Sequence, residues 1–412
     1  MLALVLSAVT VLAAAPETEL AVGIRSENRA GLASITPGAD PTGVADFILT
    51  PSLALAFYAP TGGLRFFYRP RLFQRVPLSA GFKPLAFHQM EAIFDWRMTE
   101  RWSLGLSVRG GIGAVNYTYL PSAFQAGNPD SLQDQPVADE TVSFGNVTAA
   151  VSNDIRLGPT TRLRFGANGQ YSEATGGGVS MSTTIPRQVR GTVAAGFTFT
   201  PNGRDGLDIL AGGDVASYLD LPGSDVGFLN LRVGWIRTVS RRTQCSAHVG
   251  AIALFSPRNK SGAPAGDLGC SFGLVRMPEL RGTLQVQLGV QGYADPVIQD
   301  VTPRAVASLG LAVQLPPDWN IGLVGSFYTP IAGPRPGAGS SQFFTETLLE
   351  GRLPITYRFS TELSVEFGGR FLLRGPRFSD PAFRFGSAEG QGYVAIAFGY
   401  STRTNRHSPG AQ

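Results

Sequence analysis

A chain of 412 residues with 51 glycines, 16% charged residues and only 43% hydrophobic residues is too polar for a bundle of membrane helices. Its net charge of +4 comes almost wholly from arginine, with lysine only at Lys83 and Lys260, and no basic run interleaved with aromatics marks a nucleic-acid surface. Two cysteines, Cys245 and Cys270, and three scattered histidines, His88, His248 and His407, give neither a disulfide-stapled scaffold nor a metal-ligand spacing, and no cofactor motif is present.

The first fifteen residues, MLALVLSAVTVLAAA, are the one long apolar run without a charge. They end in small residues, as export signals do, and fall short of the roughly 20 residues a membrane helix needs. Pro16 directly after the most obvious cleavage site leaves the cut position open. The expected division is a signal peptide over 1–15, a barrel over 16–402 and a tail over 403–412.

From about residue 44 onward, runs of ten to fifteen residues alternate between apolar and polar or small side chains, the signature of transmembrane strands. In LRFFYRPRLFQR, the residues Leu64, Phe66, Tyr68 and Leu72 share one face, and Arg65, Arg69, Arg71 and Arg75 share the other. The next runs place Met90, Phe94 and Trp96 opposite Gln89, Glu91, Asp95 and Arg97, then Trp102, Leu104 and Val108 opposite Ser103, Ser107 and Arg109. Later runs keep the phase: Leu163, Phe165 and Tyr171 oppose Arg162, Arg164 and Gln170, and Val394, Ile396, Phe398 and Tyr400 oppose small residues.

A soluble sandwich also alternates, so the breaks decide between the two. They switch between short ones, as at 59–63, 99–100, 158–159 and 316–317, and longer ones, as at 77–84, 120–139 and 376–387, the asymmetry of periplasmic turns and external loops. Trp96, Trp102, Trp235 and Trp319 all fall on the apolar face near short breaks, which points to an aromatic girdle at one membrane boundary.

Seventeen runs follow one another between residues 45 and 402, and TELAVGIRSE at 18–27 supplies the even number, giving about 18 strands. The expected fold is all-β, a closed antiparallel transmembrane β-barrel whose interior is an open aqueous lumen unless something fills it, and no segment is left over for a plug. Pro51, Pro70 and Pro354 lie inside runs and lead us to expect bulges or slipped register. The glycines of GGIG at 110–113 sit mid-strand, where they relieve crowding.

No catalytic constellation is expected. Ser246 and His248 share a face, but no acid is placed beside them by the sequence. The charged wall of Arg65, Arg69, Arg71, Arg75, Glu91, Asp95, Arg97, Arg101 and Arg109 is expected to face the lumen. A loop centred near residue 80 sets Arg65 opposite Asp95 and Arg69 opposite Glu91, leaving Arg71 and Arg75 without an acid and the lumen locally positive. A loop at 257–263 sets Cys270 opposite residue 250, on the order of 16 Å from Cys245, so two free thiols facing lipid are expected.

The segment TPSLALAFYAPTGGLRFFYRPRLFQR, followed by FHQMEAIFDWRMTERWSLGLSVRGG, resembles outer-membrane barrels of myxobacteria and related delta-type bacteria over roughly residues 50 to 115, with Tyr68 and Pro70 in a Y-x-P strand and His88 opening the next. The resemblance implies a barrel that partners with polysaccharide export machinery: residence in the bacterial outer membrane among its lipids, a periplasmic export protein as partner and a polysaccharide as cargo. A diffusion porin for small solutes, with 120–139 as its constriction loop, and a closed structural or adhesion barrel are the alternatives.

Overall fold

Alternation with a period of two commits most of the chain to strands. The computed structural model describes residues 17–33, 42–76, 85–116, 141–175, 187–221, 223–257, 260–277, 280–295, 300–332, 347–375, 378 and 387–402. The expected signal peptide, the tail and the proposed constriction loop lie outside these residues. The strand segments are β1 (Glu17–Ala33), β2 (Thr42–Ala59), β3 (Gly62–Tyr68), β4 (Arg71–Val76), β5 (Leu85–Thr99), β6 (Trp102–Asn116), β7 (Thr141–Arg156), β8 (Thr161–Thr175) and β9 (Gln188–Phe199). They continue with β10 (Asp205–Tyr218), β11 (Val226–Ser240), β12 (Thr243–Phe255), β13 (Lys260–Met277), β14 (Leu280–Asp295), β15 (Asp300–Leu315), β16 (Trp319–Pro330), β17 (Thr347–Arg358), β18 (Leu363–Gly375) and β19 (Ser387–Ser401).

Each segment pairs antiparallel with its neighbours in sequence, and β1 pairs with both β2 and β19, so the sheet closes on itself. Both β3 and β4 pair with β2 on one side and β5 on the other, as two halves of one strand; the barrel therefore has 18 strands. Closure removes every free edge and satisfies the backbone within the wall, the condition for a sheet to stand in lipid. The outward face is apolar and exposed, as at Leu229, Leu231, Val233 and Trp235, or at Val394, Ile396, Phe398 and Tyr400. No helix long and apolar enough to cross a membrane occurs among the described residues.

Three local expectations need correction. The prolines do not shift the register. On one side of the β3/β4 break Leu53 faces Tyr68, and on the other Leu49 faces Leu72, which places Pro51 opposite Pro70. Two residues without an N–H thus stand together, and the ladder loses its donors at one place and resumes in phase. Pro354 keeps its place opposite Gly368, and its ring fills the space over Gly322, where a Cβ would lie 2.8 Å from Pro354 Cγ. Register shifts occur instead beside short turns, at Arg97/Thr99, Thr238/Ser240 and Val275/Met277.

Cys245 and Cys270 form a disulfide. Phe255 faces Lys260, so β13 begins four residues before a loop ending at 263 allows, and the two cysteines come directly opposite with Cα atoms 4.1 Å apart. Both lie on the outward face, in phase with Val249 and Leu268.

The interior is also not free of folded-in segments. β14 and β15 remain paired as far as Asp295 and Asp300, well past the last β13 contact at Val290, and this hairpin tip lies across the inner faces of β10, β11 and β12. Ala294 and Val301 join Tyr218, Val226, Phe228, Ile252 and Leu254 in one buried apolar cluster. Gly292 makes the approach possible: a Cβ there would sit 2.6 Å from Phe228 Cγ, so any other residue would collide with the ring. On the other side of the tip, the Arg304 guanidinium lies 3.6 Å from the Tyr293 ring centre and 5.6 Å from that of Tyr328 on β16.

Candidate functional site: the barrel interior and its short-turn mouth

Inward side chains fall into two zones. Toward the long-loop rim they are buried around the whole circumference: Arg29, Asp46, Gln89, Asn146, Ser172 and Gln188 lie between 0 and 6% exposed. Toward the short-turn rim the inward face opens, and Asp95, Arg97, Ser103, Ser152, Arg162 and Arg164 are exposed. On β5 alone the sequence Phe87, Glu91, Asp95, Arg97 runs from buried to exposed.

The arginine strand sits differently from the simple hairpin reading. The β3/β5 register puts Arg65 opposite Ile93 and Phe67 opposite Glu91, and Arg69 stands opposite Gln89, donating its backbone N–H to the Gln89 carbonyl oxygen. The loop centre lies one residue earlier than expected. Arg65 nevertheless reaches Asp95 diagonally at 2.6 Å, and Glu91 pairs at 2.5 Å with Arg109, its direct neighbour on β6. In the ladder, Arg75 takes the position opposite Asp46. Arg71 is buried, its guanidinium carbon 5.0 Å from the Phe73 ring centre, and Arg69 lies at the same distance from Phe67. Arg97 is exposed near the mouth. Arg101 belongs to the β5–β6 turn and not to the wall, because the register shift at Thr99 ends the strand before it.

All four tryptophans lie in the short-turn half and in phase with the outward face. Trp96 and Trp102 flank the β5–β6 turn, and Trp102 Nε1 donates to Asn153 Oδ1 at 3.1 Å. Trp235 is half exposed on β11, and Trp319 opens β16 with its ring 4.8 Å from Tyr357 and 6.2 Å from Phe367.

Two charged clusters escaped the sequence reading. At the closing seam, Arg25 bridges Glu27 at 2.9 Å and Glu366 at 3.0 Å, Arg29 binds Glu27 at 2.5 Å, and Arg352 binds Glu366 at 2.8 Å. Tyr393 donates its hydroxyl to Glu366, and Gln391 donates to Asp46. The partners come from opposite ends of the chain, so no local pattern announces them. The second cluster surrounds His248. Its Nδ1 lies 2.8 Å from Asp267 and its Nε2 3.2 Å from Asp208, with Arg232 on Asp267 at 2.5 Å and Arg164 at 3.6 Å from Asp208. Gly234 of the intervening strand permits this span, because a Cβ there would overlap the imidazole. Both ring nitrogens are occupied by carboxylates, which makes this a transverse clamp across β10 to β13. A nucleophile-and-base pair needs one of those nitrogens for a hydroxyl. Among the described residues no group of histidine, cysteine and carboxylates has metal-binding geometry.

Behind the mouth, a recess of about 730 Å³ is floored by small residues including Gly105, Gly166 and Ala194 and flanked by Arg65, Asp95, Arg97, Asp154 and Arg164. A second, of about 660 Å³, opens beside the seam near Arg25, Arg69 and Arg358.

The fold and interior define a closed 18-stranded antiparallel barrel with an apolar exterior, the architecture of transmembrane barrels. No family model and no curated protein matches the chain. Among solved structures it is similar to the siderophore receptor PirA from Pseudomonas aeruginosa, at 10% identity and TM-score 0.45, covering 93% of this chain and 81% of that one. It is also similar to Pseudomonas aeruginosa OpdL, at 11% identity and TM-score 0.44, covering 94% and 99%, and to the outer membrane protein opdK of the same organism, at 10% identity and TM-score 0.43, covering 93% and 99%.

Proposed function

We propose that the chain is an integral β-barrel of the bacterial outer membrane that passes hydrophilic solutes and performs no chemistry of its own. The observation that carries this reading is a closed wall with an apolar exterior around an interior whose inward face is polar and exposed along β5 to β8 at the short-turn end. In that placement the short turns face the periplasm, and the four tryptophans mark the inner membrane boundary. The β14–β15 tip is the constriction, in the role a folded-in loop plays in porins. Reconstitution into a planar bilayer tests the reading: discrete conductance steps are expected, and their absence from correctly assembled protein, even for a variant with the tip displaced, would refute it.

A second reading, conduit for an exported polysaccharide working with a periplasmic export protein, is favoured by one observation. The exposed half of the interior is the half that a polymer arriving from the periplasm would enter. Loss of surface polysaccharide on deleting the gene, with small-solute uptake unchanged, would favour it over the porin reading.

A further inference from the structure

Charge is unevenly distributed around the short-turn mouth. From the end of β5 to the start of β14 the rim carries Arg97, Arg156, Arg162 and Arg281 in inward phase, Arg101, Arg204, Arg241 and Arg242 in turns, and Arg237 outward. All are exposed, and they face only three described acids, Glu100, Asp154 and Asp205. Asp154 is engaged by Arg162, and Asp205 lies 3.7 Å from Arg237. Arg97, Arg101, Arg204, Arg241 and Arg281 have no carboxylate partner among the described residues, and Arg156 shares Asp154 with Arg162 through charge attraction alone. The opposite arc is acidic, with Glu17, Glu19, Asp318 and Glu362 against Arg358.

We propose that this basic arc captures an anionic polymer chain that enters the barrel from the short-turn side, a reading that rests on the passage function above and names its cargo class. Three features select this occupant. Four of the arginines look into the mouth, where a folded acidic protein cannot follow but a flexible chain can. Only Arg237 takes the outward phase that a lipid headgroup would engage. Directly behind the arc lies the recess of about 730 Å³, where Arg65, Arg97 and Arg164 stand with Asp95 and Asp154, so arginines outnumber acids there too. Arginine forks bind carboxylate, sulfate and phosphate oxygens in pairs, and low-dielectric walls concentrate the field between them.

The test uses short-chain inorganic polyphosphate as probe, titrated calorimetrically into the full chain in nanodiscs of zwitterionic lipid. Binding is expected, with an affinity that falls as salt rises. Arg97→Gln/Arg156→Gln/Arg281→Gln should weaken it at least tenfold and flatten the salt dependence, whereas Arg101→Gln/Arg204→Gln/Arg241→Gln should change it less than threefold. The three single inward variants carry the same test if the triple one does not assemble. Absence of binding by the unaltered chain, or equal loss in the turn variant, would overturn the proposal. So would loss of probe binding when phosphatidylglycerol replaces the zwitterionic lipid, which would make headgroups the occupant. A barrel that binds the probe without conducting ions would remove the passage reading and leave the arc standing; one that conducts and ignores the probe would do the reverse.

Discussion

The two halves of the barrel interior are built from the same alternating strands and differ in what their inward residues meet. In the long-loop half, charges are buried and paired: Arg29 is held by Glu27, Arg190 by Asp214 at 2.7 Å, and the β14–β15 tip adds an apolar cluster. At the short-turn mouth, beyond the buried His248 clamp and the Glu366 network, arginines stand in water with few partners. One half is therefore constrained by desolvation, where a lost partner leaves a buried charge, and the other is free to change without cost to the fold. The difference separates residues that hold the barrel from residues available for solute.

The largest expected effect follows from breaking the buried side. Glu27→Ala leaves Arg29 buried without its acid and takes a partner from Arg25, and should cost about 3–5 kcal/mol. A barrel that no longer resists unfolding in warm detergent, read by heat-modifiable electrophoresis, is the expected result; an unshifted transition would mean the seam network contributes nothing to closure. Phe228→Ala removes the ring that the tip packs on and should cost a similar amount, about 3–5 kcal/mol, while raising conductance. Gly292→Val should also raise conductance by forcing the tip away from Phe228, and a conductance equal to that of the unaltered chain in both would show that the tip does not obstruct the passage.

Smaller effects come next. Reducing the Cys245–Cys270 disulfide, which closes a loop of sequence separation 25, should lower stability by at most about 3 kcal/mol and leave conductance unchanged. Arg162→Ala breaks an exposed pair with Asp154 and should cost less than about 1 kcal/mol, the sharpest contrast with Glu27. At the long-loop rim, Arg187 donates to Asp220 at 2.7 Å and holds that carboxyl below the usual aspartate range. Its small contribution is present above the ordinary aspartate pKa and disappears as pH falls through the lower folded value. Asp220→Asn should erase that part of the acid dependence of unfolding and nothing else.

Much of the fold was legible because the period-two signal is local: from Arg65 to Gly399 the assigned phase agrees with the exposed and inward faces of the strands. Register was harder. A displacement of the hairpin centre by one residue moved Arg65 from Asp95 to Ile93, and a displacement of similar kind brought Cys245 onto Cys270. Turn position depends on which loop residues pair, and alternation is blind to it. The inward tip was illegible for a different reason: TPRA at 302–305 and VQGYA at 290–294 read as ordinary wall, and only Gly292 beneath Phe228 marks the place where two distant segments meet. The His248 clamp was half visible, since the histidine drew attention but its acids lie on other strands.

The claim of two unlike halves is tested most directly by thiol accessibility. In a Cys245→Ala/Cys270→Ala background, a single cysteine is placed at Ser152, inward and exposed on β7, or at Ser172, inward and fully buried on β8. A small charged thiosulfonate should modify Ser152→Cys rapidly in the assembled barrel and reach Ser172→Cys only after unfolding. Equal rates at the two positions would contradict an interior open at the short turns and closed toward the long loops.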